Sequence, residues 1–171
     1  MEFPALAEDI LTPSLPLGDM IATLAIAALL GGLIGLEREW RQKDAGLRTH
    51  MAVTLAAAAF ALITRDYALD DTTGSFRGGD PFQLIRAVAE AAAVLAAGCI
   101  IASGGRIRGL TTGVGLWLSA AIGLACGIGS YVLAIVITVM TVIILGVLGA
   151  IERTVQRTGR NDDGEREDDA S

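Results

Sequence analysis

The sequence holds few of the residues on which soluble catalytic and nucleic-acid-binding domains depend. It has one histidine and two cysteines, and only 19% of its residues are charged, against roughly a quarter in an average soluble domain. His50 stands at the edge of an apolar block with no cysteine or paired carboxylate at a metal-ligand spacing, so no metal site is expected. Cys99 and Cys126 both lie inside apolar blocks and read as small core residues, with no disulfide framework or CxxC site. GxSxG, HExxH and the phosphate loop GxxxxGK(S/T) are all missing, so neither an enzyme nor a cofactor is expected. The net charge of -6 comes largely from the acidic end of the chain, and no basic stripe speaks for nucleic acid. The first nineteen residues carry Glu2, Glu8, Asp9 and Asp19 but no Lys or Arg, which excludes the basic leading region of a signal peptide.

What the chain does have is apolar mass in long blocks: 53% hydrophobic residues and a mean hydropathy of +0.57. A hydrocarbon core of ~30 Å needs about 20 apolar residues in a helix. Residues 17–36, 49–64, 84–103, 110–128 and 131–151 are the candidate spans, giving an all-α, polytopic membrane bundle of about five transmembrane helices over residues 1–151. An acidic tail, 152–171, follows and has a disordered composition. The second block is the short one, reaching about 24 Å at helical rise. The loop after the first block holds Arg38, Arg41, Lys43 and Arg48, the loop after the third Arg106 and Arg108, and the fifth is followed by Arg153, Arg157 and Arg160. Positive charge therefore falls in alternate loops, which places the N-terminus outside and the C-terminus in the cytoplasm. Five spans fit this alternation and four do not.

Membrane helices associate through close packing and polar contacts. Gly31 and Gly35 form one GxxxG, Gly123 and Gly127 another; they suit packing within a chain or between chains. Three polar groups carry the functional candidates. The first is Glu37, Arg38, Glu39 and Arg41, with Arg48 and Thr49 soon after. An orientation anchor explains the arginines but not the two glutamates, because acids add little to topology; a salt-bridged network or a binding surface explains both. The second begins at Asp80-Pro81, a good helix start, and places Arg86 roughly 8 Å and Glu90 roughly 14 Å along the axis. An acid near the bilayer midplane should face the bundle or a water-filled cavity and find a partner. Arg86, one turn earlier, is the candidate partner. The third is the Gly-rich basic turn with Arg106 and Arg108 leading into Thr111 and Thr112. It reads either as an anion site at a helix N-terminus or as a threonine-capped helix beside cytoplasmic anchors.

At these same places the chain resembles the MgtC/SapB family of bacterial inner-membrane proteins. The likeness runs through Gly31-Gly32-Leu33-Ile34-Gly35-Leu36-Glu37-Arg38-Glu39 and Ala45-Gly46-Leu47-Arg48-Thr49. It resumes at Asp80-Pro81 and is strong over Gly109-Leu110-Thr111-Thr112, Leu116-Trp117 and Ala120-Ala121-Ile122-Gly123. The resemblance implies a non-enzymatic role in magnesium homeostasis, acid tolerance or virulence stress, through a membrane partner such as the ATP synthase or through self-association in the bilayer. A small magnesium or proton transporter or channel, with Glu90 and Arg86 lining its path, is the alternative. The third block departs from the family pattern: Gln83 and Ala87 replace an Arg and a Gln, and of its Gly-rich stretch only Gly98 remains. Arg86 and Glu90 thus belong to this chain and not to the family motif.

Overall fold

The computed structural model describes residues 15–68, 82–103 and 106–148. Five helical segments dominate them: α1 Leu17–Trp40, α2 Leu47–Ala68, α3 Phe82–Gly98, α4 Leu110–Gly127 and α5 Tyr131–Ile143, the last extended by a π-helical turn over Ile144–Leu148. The 152–171 tail, Asp80 and the N-terminal acids before Asp19 lie outside the described residues.

The first helix starts after Pro16 and runs four residues past its expected end, because Glu37 to Trp40 stay helical. It closes with two turn bonds, Gln42 N–H to Glu39 O at 2.9 Å and Lys43 N–H to Arg38 O at 3.0 Å. This is the Schellman pattern, whose left-handed position usually carries glycine; here Gln42 holds it at φ 54. The short second block gains most from folding. Helix α2 has 22 residues and reaches about 33 Å, because Leu47, Arg48 and the turn after Thr64 join it.

The third block is shorter than expected. Helix α3 stops at Gly98, and residues 101–108 form a small antiparallel hairpin, β1 Ile101–Ser103 with β2 Arg106–Arg108, pairing Ser103 with Arg106. Two glycines, Gly104 and Gly105, are all that separates the paired residues, the composition that a two-residue hairpin loop demands. Gly109 then turns the chain into α4 at φ 81, where a Cβ would run into the carbonyl of Cys99.

The glycine motifs pack within the chain, and both pack onto α2. A Cβ on Gly31 would come within 2.8 Å of the His50 carbonyl, and one on Gly35 within 2.6 Å of Leu47 Cα. From the other side, Gly123 presses on Thr54 and Ala57, and Gly127 on Ala58 and Ala61. Residues 50, 54, 57, 58 and 61 thus form one buried face of α2. The contacts also set direction. Early α4 meets early α2 and α1 runs beside α5, with Thr23 bonded to Tyr131 at 2.7 Å near their starts. Segments α1 and α5 are parallel, as are α2 and α4, so successive helices alternate in direction.

Large apolar side chains face outward: Leu29, Leu33, Phe60, Val94 and Val132 are all exposed, as lipid rather than water would require. Helices α1, α2 and α4 are long and apolar enough to cross a membrane, while the apolar stretch Tyr131–Gly146 and 17-residue α3 are shorter. The chain is an all-α membrane bundle, as expected.

Candidate functional site

The last turn of α1 carries three charged side chains that turn inward. Arg38 is 1% exposed. Its Nε donates to Glu37 Oε2 at 2.6 Å and its Nη2 donates to the Leu145 carbonyl at 2.9 Å. Arg41, one turn on, donates from Nη2 to the Gly146 carbonyl at 2.7 Å and sets its Nε against Glu37 Oε1. That second carboxylate contact is an ion pair without hydrogen-bond geometry. The two carbonyls belong to the π-helical turn that ends α5. A helix C-terminus leaves carbonyls without intrahelical donors and carries partial negative charge. Two guanidiniums supply both donors and counter-charge, and Glu37 neutralises them in turn.

Glu39 works on the neighbouring element. Its Oε2 accepts the Leu47 N–H at 2.9 Å, capping the start of α2 from eight residues upstream. An acid suits the positive end of a helix. Gly46 leaves room for it, since a Cβ there would lie 2.8 Å from Glu39 Oε2. Glu37 and Glu39, which an orientation anchor left unexplained, thus each hold a helix end.

His50 completes the cluster and escaped sequence reasoning. It is 0% exposed. Its Nδ1 lies 2.9 Å from the Gly46 carbonyl, so Nδ1 bears the proton and donates. Nε2 faces α4 at Gly115, where a Cβ would sit 3.1 Å away, and has no hydrogen-bond partner among the described residues. The signal was present: His50 begins the i, i+4, i+7 series that continues through Thr54 and Ala57. Reading His50 only as a possible metal ligand hid that face.

The remaining candidates are scattered. Arg48 and Thr49 are exposed on the first turn of α2, and Trp40, 88% exposed, lies beside them at the end of α1, where an interfacial aromatic belongs. Trp117 donates to the Ala89 carbonyl at 3.3 Å and so fastens α4 to α3. Neither threonine caps α4: the N-cap is Gly109, Thr111 is exposed and Thr112 is buried. Arg108 is exposed, and the Arg106 side chain lies outside the described residues. Gly98 is no packing glycine; nothing lies within 4 Å of where its Cβ would be.

The expected intramembrane pair departs furthest from expectation. Arg86 and Glu90 are both exposed, on the side of α3 turned away from the bundle, and no ion pair joins them among the described residues. The buried side of α3 is instead set by Val88 and Ala92. A groove of ≈ 500 Å³ opens between α2 and α3, lined by residues such as Ala56, Phe60, Leu84 and Ala91, with Thr49 its one polar side chain. No group of three or more His, Cys, Asp and Glu that could hold a metal ion occurs among the described residues.

A family model described as the MgtC family matches residues 24–154. Among curated proteins the chain is 36% identical to the Escherichia coli protein named "Putative magnesium transporter YhiD" over 129 residues, 75% of this chain and 60% of that one. It is 38% identical to "Protein MgtC" of Salmonella typhimurium over 120 residues, 70% of this chain and 48% of the relative. To "Protein MgtC" of Brucella abortus it is 36% identical over 141 residues, 82% and 56%. The chain therefore spans about half to three fifths of the length of these relatives. No solved structure matches it. The matched stretch contains the buried charge cluster, both glycine motifs and the hairpin turn, and on that match the chain belongs to the MgtC family.

Proposed function

We propose that the chain is a non-enzymatic regulator in the bacterial inner membrane, with its N-terminus outside, its C-terminus cytoplasmic and its role in magnesium homeostasis or acid and virulence stress. It acts by binding another membrane protein; the ATP synthase is the partner that the family resemblance suggests. One observation carries this reading. The network around Glu37, Arg38 and Glu39 fixes the 41–46 connection between two helix ends, and on that fixed edge Trp40, Lys43, Asp44 and Arg48 remain exposed. A rigid loop with charged and aromatic side chains free is suited to recognition, and its arginines belong on the cytoplasmic side. The test is growth of a deletion strain in low magnesium. An Arg48→Ala allele that accumulates normally should fail to complement, and Glu37→Ala should fail with reduced protein level. Full complementation by Arg48→Ala together with Trp40→Ala would end this reading.

A second reading, a small transporter or channel for magnesium or protons, draws on the printed name of the Escherichia coli relative. Residues Arg86 and Glu90 do not line a described cavity, and the groove beside α3 is apolar, so this reading needs a polar path formed from other parts of the assembly. Purified protein in liposomes should then pass protons or divalent cations at a rate that Glu90→Gln changes. Flux no greater than that of empty liposomes would exclude it.

A further inference from the structure

The outward side of α3 carries an unusual combination. Gln83, Arg86, Glu90, Ala93 and Ala97 follow one another at intervals of three, four, three and four residues, and all five are exposed. That alternation is the a/d spacing of a helix–helix seam. The buried residues of the same helix, Val88 and Ala92, lie on another side and already face the bundle. An ionised acid and base facing lipid are costly and are normally turned to protein or water. Their own chain does not use them: no described residue pairs with either, although they stand one turn apart.

We propose that this seam is the contact between two copies of the chain, α3 against α3 across a two-fold axis along the membrane normal. Arg86 of one copy pairs with Glu90 of the other, and the reverse pair forms by symmetry. The occupant follows from the charges. The face carries one group of each sign, so its electrostatic complement is itself under a two-fold, where residue i meets j and j meets i. Both copies insert in the same direction, which makes the two α3 helices parallel. The axial offset from Arg86 to Glu90 is then about 6 Å, within reach of an extended arginine. One turn further on, Ala93 and Ala97 put only methyl groups between the backbones, the close approach that membrane helix pairs favour. The contact is independent of the regulatory reading and of its cytoplasmic loop.

The experiment uses two differently tagged full chains, one with Arg86→Glu and one with Glu90→Arg, extracted from membranes in native-lipid polymer discs. Each variant alone puts like charges across the two-fold, while the mixture restores both opposite-charge pairs. Expected are dimers for wild type, at least a tenfold loss of dimer for each variant alone, and recovery of mixed dimers on co-expression. Oxidative crosslinking gives a second measurement: Ala93→Cys should yield far more covalent dimer than the wild-type background set by Cys99 and Cys126, and Val132→Cys on the exposed side of α5 should not. A monomeric wild type, or equal dimer in wild type and both variants, overturns the proposal. So does a seam occupied by a different membrane protein, seen as a stoichiometric second band that replaces the self-crosslink at Ala93→Cys.

Discussion

Two arginine–glutamate pairs stand four residues apart on helices of this protein, and they meet opposite fates. Glu37 and Arg41 at the end of α1 join Arg38 in a network that reaches across to α5. Arg86 and Glu90 on α3 stay exposed and unjoined among the described residues. Order along the helix is one reason. An acid N-terminal to its base at i, i+4 is the better arrangement, and α1 has it while α3 has the reverse. Position is the other. The α1 arginines lie at a helix C-terminus, where cations are favoured, and Arg86 lies near a helix N-terminus, where they are not. A pair of opposite charges in a membrane helix is thus a demand for a partner, and only the surroundings decide whether the chain meets it internally.

The largest expected effect breaks the inner pair. Arg38→Met leaves Glu37 without its closest counter-charge and the Leu145 carbonyl without a donor, and should cost about 3–5 kcal/mol, read as a large fall in the thermal midpoint in detergent. Adding Glu37→Gln should recover part of that loss, because the buried charge left alone is the main cost. Next comes the packing that brings α2 to the network. Gly123→Ala would drive a methyl into the Thr54 carbonyl and should cost about 1–3 kcal/mol, whereas Gly98→Ala, with open space around it, should not destabilise. Glu39→Ala removes the cap on α2 and should cost about 1 kcal/mol; Glu39→Gln should retain part of the stability, and the same unfolding measurement checks both. Gln42→Gly should stabilise by about 1 kcal/mol, since only the left-handed conformation changes its cost. The smallest effect sharpens the contrast from the other side. Arg86→Ala should leave the unfolding midpoint of the single chain within about 0.5 kcal/mol of wild type, although it touches a charge in a membrane helix.

Much of the architecture was legible from periodicity and length. The five apolar blocks became five helical segments of alternating direction, because a backbone in lipid must satisfy its hydrogen bonds within each segment. Ends were less legible. Residues 47–48 and 37–40 are charged or flank charges and looked like loop, yet Glu39, a residue from another helix, caps α2 and keeps it helical. The hairpin after Gly98 was hidden because Cys99 to Ala102 are as apolar as the helix before them, and only the Gly104-Gly105 pair marked the turn.

The candidate site divides in the same way. The sequence by itself determined that this is a bundle of apolar helices with charges confined to a few places, and that two glycine pairs would allow backbones to touch. It also marked Glu37 and Glu39 as needing an explanation beyond topology. Only the tertiary structure decided that Arg38 is buried, that His50 lies beneath it against Gly115, and that Glu90 faces outward. Burial of a charge depends on which carbonyls and carboxylates another helix brings within reach, and Leu145 and Gly146 stand more than a hundred residues from the arginines they bind. Local spacing could place Arg86 and Glu90 on one side of α3. Which side faces the bundle was set by Val88, Ala92 and the Trp117 contact, and no local pattern of charge carries that information.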